Sequence, residues 1–169
     1  MNYYGYGGCL LLVDLTAGTI RKEPLPEEWV RDYIGGLGIS SRLVYDLAPI
    51  GVEPFSPQNA LTVGAGPLLG TLAPAAARAD AVGKSPLSGF LGTANAGFSM
   101  AHMMKYAGYD HLLVTGQAQK PVYIKIFDDD VEIGDASHLW GKTTWDTVDS
   151  LRRELGDCWV SCIGPAGER

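Results

Sequence analysis

The chain has 169 residues, 46% hydrophobic and 19% charged, which suits one globular domain with a filled core. Its 13 basic and 19 acidic residues leave a net charge of -6, so the basic stripe that binds a phosphate backbone is absent and nucleic acid is not an expected partner. No run approaches the roughly 20 apolar residues that cross a bilayer, and Met1 to Gly8 lacks a basic head and an apolar signal core; no membrane contact and a cytoplasmic location are expected.

Cys9 to Leu15 is an apolar run closed by Thr16-Ala17-Gly18-Thr19, and Ile20 to Leu25 then alternates with charge, which predicts a β-hairpin. Pro26-Glu27-Glu28 opens a helix through Tyr33, because proline suits a first turn and acids suit its positive end; Gly35-Gly36 ends it. Leu61 to Gly64 reads as a strand running into Gly66-Pro67. From Gly64 to Gly97 the chain is crowded with glycine, alanine, serine and proline, and is either slack loop or backbone shaped to approach something closely. Lys105 to Gly116 reads as the end of a helix, a glycine turn and a buried strand, and His102 falls on the expected helix. Val122 to Phe127 and Val131 to Ile133 form a second hairpin around Asp128-Asp129-Asp130. A helix from about Thr144 to Leu155 follows, with Gly156 as its cap.

Hairpin then helix thus occurs twice. Leu61 to Pro67 and Val160 to Pro165 also echo each other as strands ending in Gly-Pro, so two intertwined repeats stand beside coincidence as readings. The 22 glycines and 10 prolines exclude a helical bundle, and the mixture of elements predicts an α+β domain.

Several motifs imitate known sites. Gly83-Lys84-Ser85 and Gly141-Lys142-Thr143 resemble the end of a P-loop, but the glycine required five residues before Gly83 and Gly141 is Arg78 in one case and Ala136 in the other. Val63 to Gly70 imitates a dinucleotide fingerprint, but its third glycine is late and Pro67 removes a donor. Cys9, Cys158 and Cys162 have no metal-site spacing; on a strand Cys158 and Cys162 would share a face as a buried pair of small hydrophobes. His111 and His138 read as structural. Arg78 stands alone among small side chains, either solvated or meeting a carboxylate, a phosphate or a π-face with its planar fork. Asn95, in Asn95-Ala96-Gly97, is either a turn residue or an amide beside closely approaching backbone.

Taken in order, Tyr4-Gly5-Tyr6-Gly7-Gly8, Ala65-Gly66-Pro67-Leu68 to Leu72-Ala73-Pro74, Arg78, Lys84 to Gly89, Asn95-Ala96-Gly97, Ala107-Gly108-Tyr109-Asp110, Asp135 to Lys142 and Ile163 to Glu168 resemble the N-terminal domain of the tungsten-containing aldehyde ferredoxin oxidoreductases. The resemblance implies an α+β domain of two mixed β-sheets with short helices. It also implies that residues 1–169 form a tungstopterin-binding domain, with the iron–sulfur and substrate domains outside this chain. In that family two molybdopterins hold tungsten through their own dithiolene sulfurs, and magnesium bridges their phosphates.

Carried across, Arg78 corresponds to the arginine between the two pterins. The Asn95 backbone carbonyl helps hold magnesium, Ala96 and Gly97 line the phosphate approach, and Lys84 to Gly89 form the supporting turn. No catalytic residue falls within the chain. The implied whole enzyme oxidises aldehydes to carboxylic acids and passes electrons through a 4Fe-4S cluster to ferredoxin. The remainder of the enzyme or a partner subunit would complete it, and a homo-oligomer is an open expectation. The alternative is a non-catalytic pterin-binding or partner-docking module, either a split subunit or a truncated domain with an open, self-associating face. The resemblance departs at Leu37, Phe98 and Met103, where the family usually has arginine, glycine and an acid respectively, so packing near the cofactor is expected to differ.

Overall fold

The computed structural model describes residues 4–97 and 99–168. Eight strands and four helices follow in the order β1 (Cys9–Asp14), β2 (Thr19–Pro24), α1 (Glu27–Tyr33), α2 (Leu37–Leu47), β3 (Ala60–Ala65), β4 (Arg78–Lys84), β5 (Leu91–Gly97), α3 (Ser99–Tyr106), β6 (Tyr109–Thr115), β7 (Val122–Phe127), β8 (Asp130–Asp135) and α4 (Thr144–Leu155). A 3-10 turn at Ser137–Leu139 precedes α4. The architecture is α+β with two sheets: a mixed six-stranded sheet ordered β2-β1-β6-β3-β4-β5, and the antiparallel pair β7-β8.

The large sheet is mixed because β1 and β6 run parallel while every other neighbouring pair is antiparallel. Strand alternation then divides the core into layers. On one face Leu113, Ala60 and Val82 pack against Val44 of α2, with Ile39 and Leu43 of the same helix meeting Leu10, Leu25 and residues of α1. On the other face Leu11, Val13, Ala65, Ala79, Tyr109 and Leu112 meet Ala101 and Met104 of α3. Ile124, Ile126, Val131 and Ile133 of the β7-β8 pair close over the same cluster. Helix α4 packs outside that pair through Leu151, with Leu139 and Ala136. Its start is capped by Thr143, whose hydroxyl accepts from the Asp146 amide, and Gly156 closes it at φ 86°.

Three expectations need correction. Residues 78–97 are not slack loop but the hairpin β4-β5, whose alanines and glycines conceal the usual strand signal. Val160 to Pro165 is not a strand: it has no ladder partner among the described residues, so the second half of the Gly-Pro echo lacks its strand. Cys158 and Cys162 therefore share no strand face and are only half-buried, with burial raising the Cys162 thiol. The two hairpin-then-helix units are both present, but β1-β2 joins the large sheet through β6 whereas β7-β8 stands as its own sheet.

Candidate functional site

The registers bring the glycine-rich blocks together. Residue Cys9 begins β1 level with Tyr109, which begins β6; His111 lies opposite Gly64, and Ala65 at the end of β3 lies opposite Ala79. Arg78, at the start of β4, pairs with Gly97 at the end of β5. One end of the sheet therefore collects residues 5–8, Ala65 to Pro67, Arg78, Asn95 to Gly97 and Gly108 to Asp110.

Arg78 and Asn95 are 17 positions apart in sequence and touch in space. The Arg78 Nε donates to the Asn95 side-chain oxygen, and its Nη2 donates to the Asn95 backbone carbonyl at 3.0 Å. Asn95 turns its amide nitrogen the other way, donating to Asp80 Oδ1 at 2.7 Å and to the Ala79 carbonyl at 3.3 Å. This sequence of bonds fixes which way the amide points. Arg78, Asn95, Ala96 and Gly97 are all exposed, and β5 is the edge strand of the sheet. Only one edge of the Arg78 guanidinium is engaged among the described residues, so the rest of its fork faces outward with donors to offer.

The turn after β3 lies beside this cluster. Gly36, which leads into α2, donates to the Ala65 carbonyl at 3.0 Å, and a Cβ on Gly36 would lie 3.2 Å from Asp80 Oδ2. The positive end of α2 thus sits next to Asp80, a favourable place for negative charge. Gly5 adopts φ 78°, and a Cβ there would come within 2.5 Å of the Pro67 carbonyl, so the N-terminal segment can reach the turn only as glycine.

Beyond the turn, Lys105 and Asp110 form a buried pair with Nζ 4.0 Å from Oδ1 and side-chain exposures of 8% and 0%. Asp110 is the extra residue of a β-bulge, since β1 passes from Cys9 to Leu10 while β6 passes from Tyr109 to His111. The bulge turns its carboxylate to the amides of Gly7 and Gly8, at 3.0 and 2.7 Å. Burial pushes the Asp110 carboxyl up, against the Gly7 and Gly8 amides and the Lys105 charge; burial also pushes the Lys105 ammonium down, against Asp110. Sequence reading took Lys105 as a helix end and Asp110 as part of a motif. The usable signal was an acid immediately after an apolar tyrosine at the head of a buried strand.

The turn from Lys84 to Gly89 is at the far end of the hairpin. Lys84 pairs with Leu91 whereas Arg78 pairs with Gly97, six residues or about 20 Å of strand away. It closes the hairpin and cannot touch Arg78 or Asn95, which corrects the expectation that it supports them directly. Neither P-loop imitation is a phosphate cradle: Lys84 Nζ donates to the Val52 carbonyl, and Lys142 Nζ donates to Ser150 at 3.1 Å. Leu37 begins α2 and is partly exposed, Met103 lies exposed on α3, and Phe98 falls outside the described residues. His138 pairs with Glu154 at 3.2 Å, and His102 is half-buried on α3. Two hollows, of about 560 Å³ beside Pro121 and Trp140 and about 480 Å³ beside Tyr45 and Phe90, contain none of the clustered residues. Arg78, Asn95, Ala96 and Gly97 are all exposed, so this cluster lies open on the surface. Among the described residues no group of three or more His, Cys, Asp or Glu side chains could hold a metal ion, and no helix is long and apolar enough to cross a membrane.

Comparison with known proteins gives consistent results. The chain is 43% identical over 167 residues to a tungsten-containing aldehyde ferredoxin oxidoreductase of Pyrococcus furiosus, covering 98% of this chain and 28% of that protein. It is 31% identical over 157 residues to an aliphatic sulfonate oxidoreductase, WOR-like subunit, of the same organism, covering 90% of this chain and 24% of the relative. A solved structure, the active site complex BamBC of benzoyl coenzyme A reductase with 1,5-dienoyl-CoA, superposes with a TM-score of 0.94 at 39% identity, over 98% of this chain and 26% of that one. The chain therefore spans about a quarter of the length of these larger proteins. Residues 10–169 match the family described as aldehyde ferredoxin oxidoreductase, N-terminal domain, and the chain belongs to that family.

Proposed function

We propose that the open sheet end is the bed for a tungsten bis-molybdopterin cofactor, and that the protein containing this domain oxidises aldehydes to carboxylic acids with electrons leaving through an iron–sulfur cluster to ferredoxin. The observation that carries the reading is the contact between Arg78 and Asn95, which unites the two residues of the resemblance that would serve the pterins and their phosphates. In this reading Arg78 places its outward guanidinium edge between the two pterins. The Asn95 carbonyl, which has a second lone pair beyond the one Arg78 uses, would help hold a magnesium ion bound with the cofactor. Ala96 and Gly97 leave the β5 backbone bare, so a planar ring or a phosphate can come close.

The residues fit such a group. An exposed guanidinium with small neighbours suits planar anions, the positive end of α2 being taken by Asp80, and a metal held by the cofactor itself would ask for no His/Cys set from the protein. When bound, the cofactor supplies the two-electron redox chemistry; the chain supplies placement and charge complementarity. Arg78→Ala, measured in the protein containing this chain, is expected to lower tungsten and pterin content at least tenfold while the thermal midpoint of the cofactor-free form stays close to that of the cofactor-free parent. Arg78 is exposed and, among the described residues, its two hydrogen bonds are both to Asn95, so little folding energy rests on it. Equal tungsten and pterin content in variant and parent would refute the reading.

A further inference from the structure

The Lys105–Asp110 pair has no part in the contacts just assigned to the cofactor. Two charges taken from water are tolerated only where further hydrogen bonds satisfy them. Here those bonds go to backbone: Lys105 Nζ donates to the Gly66 carbonyl at 2.6 Å, and Asp110 accepts from the amides of Gly7 and Gly8. The ammonium also sits 5.8 Å from the centre of the Tyr6 ring. What the pair holds is therefore the course of two glycine-rich segments that have almost no side chains of their own to pack.

We propose that Lys105, seated against Asp110, is a positioning residue that fixes the Ala65–Pro67 turn in its cofactor-ready form before the cofactor binds. This inference rests on the reading given under Proposed function. The turn is gripped on one flank by Gly36, which bonds Ala65, and on the other by Lys105, which bonds Gly66. The Gly66 carbonyl has one further donor, the Leu69 amide at 3.2 Å, within the turn itself. Without Lys105, the link from this carbonyl to α3 and, through Asp110, to Gly7 and Gly8 is gone. Because the turn touches the Gly36–Asp80–Asn95 side of the bed, its loosening reaches the cofactor without any contact between Lys105 and the cofactor. Preordering of this kind removes an ordering cost at binding, so its loss is expected in faster cofactor release and in local loosening of the turn measured in the cofactor-free protein.

Two measurements test it. In the parent protein, hydrogen exchange of the Gly7, Gly8 and Leu69 amides is compared before and after pterin is stripped. Equal protection in both forms is expected; protection that appears only with pterin bound would overturn the proposal, because the cofactor would then be ordering the turn. In the variant Lys105→Met, which leaves both amide bonds to Asp110 in place, Leu69 exchange is expected to quicken at least tenfold relative to the β6 amides of the same cofactor-free protein, and pterin loss to quicken at least tenfold. Unchanged exchange in the folded variant, or faster exchange with parent-like pterin retention, would overturn it. Arg78→Ala run in parallel separates the two failures: if that variant also keeps its pterin, the reading of the site has failed; if it loses pterin, the role given to Lys105 has.

Discussion

At the scale of single residues, the Arg78–Asn95–Asp80 sequence shows how one guanidinium acquires direction: Asn95 occupies one edge of it and Asp80 holds Asn95 still. His111 works differently. Its ring lies fully inside, with Nδ1 3.2 Å from the Ser40 hydroxyl and Nε2 without a hydrogen-bond partner among the described residues. Burial, then the Lys105 charge, depresses its pKa to about 3. An unfolded histidine titrates near 6.5, so between about 6.5 and 3 the unfolded chain binds a proton that the folded chain refuses. The stability from neutral His111 is thus complete above about pH 6.5 and is lost as pH falls towards 3, at up to about 1.4 kcal/mol per pH unit. Urea midpoints measured across that range should fall more steeply for the parent than for His111→Gln. Parallel acid limbs would show that another group sets the slope. Arg78 and Asn95 stood out in the sequence as polar side chains among small ones, and the structure brings the two into contact. His111 was legible only as structural, since its pairing with Ser40 joins residues 71 positions apart.

At the scale of elements, the junction between α1 and α2 is built under strain. Ile34 has φ 66° and ψ -64°, and the Gly35 amide bonds back to the Tyr33 carbonyl at 2.8 Å, a positive-φ γ-turn that a β-branched residue rarely adopts. Its side chain is 65% exposed, and the Tyr6 hydroxyl bonds its carbonyl, so the backbone rather than the side chain is what the fold uses. Ile34→Gly is expected to raise stability by about 1 kcal/mol, strain relief exceeding the added freedom of the unfolded chain. A comparable fall in the chemical-denaturation free energy would mean that the isoleucine side chain contributes packing instead. The elements with ordinary signals were readable: β1-β2 from alternation, α1 from Pro26 and its acids, α4 from its cap and Gly156. Helix α2 was missed although Ile39, Leu43 and Leu47 recur every fourth residue, because Gly35 and Gly36 drew attention as a terminator rather than as an entry. Strands β4 and β5 were hidden by their small side chains, which erase the apolar alternation that marks a strand. The supposed strand at Val160 to Pro165 failed for the opposite reason, an apolar run that finds no ladder partner among the described residues.

At the scale of the whole molecule, the chain matches about a quarter of the length of its relatives and exposes several large apolar side chains. Leu68 and Leu72 near the bed, and Tyr45, Ile50, Phe55, Leu87 and Phe90 towards the other end, are large apolar side chains left largely open to solvent. Relatives named for tungsten-dependent aldehyde oxidation, for aliphatic sulfonate oxidation and for benzoyl coenzyme A reduction share this domain at 43%, 31% and 39% identity. In our reading, what such proteins have in common is placement of a cofactor, and substrate choice belongs to the parts beyond this domain. The most direct measurement is an amide chemical-shift map of the protein as molybdopterin and magnesium are added. Changes are expected to gather at residues 64–80 and 93–97, with Ser85 to Phe90 and the hollow beside Pro121 unmoved. Changes concentrated at either of those distant places, with Arg78 and Asn95 silent, would contradict a cofactor bed at this end of the sheet.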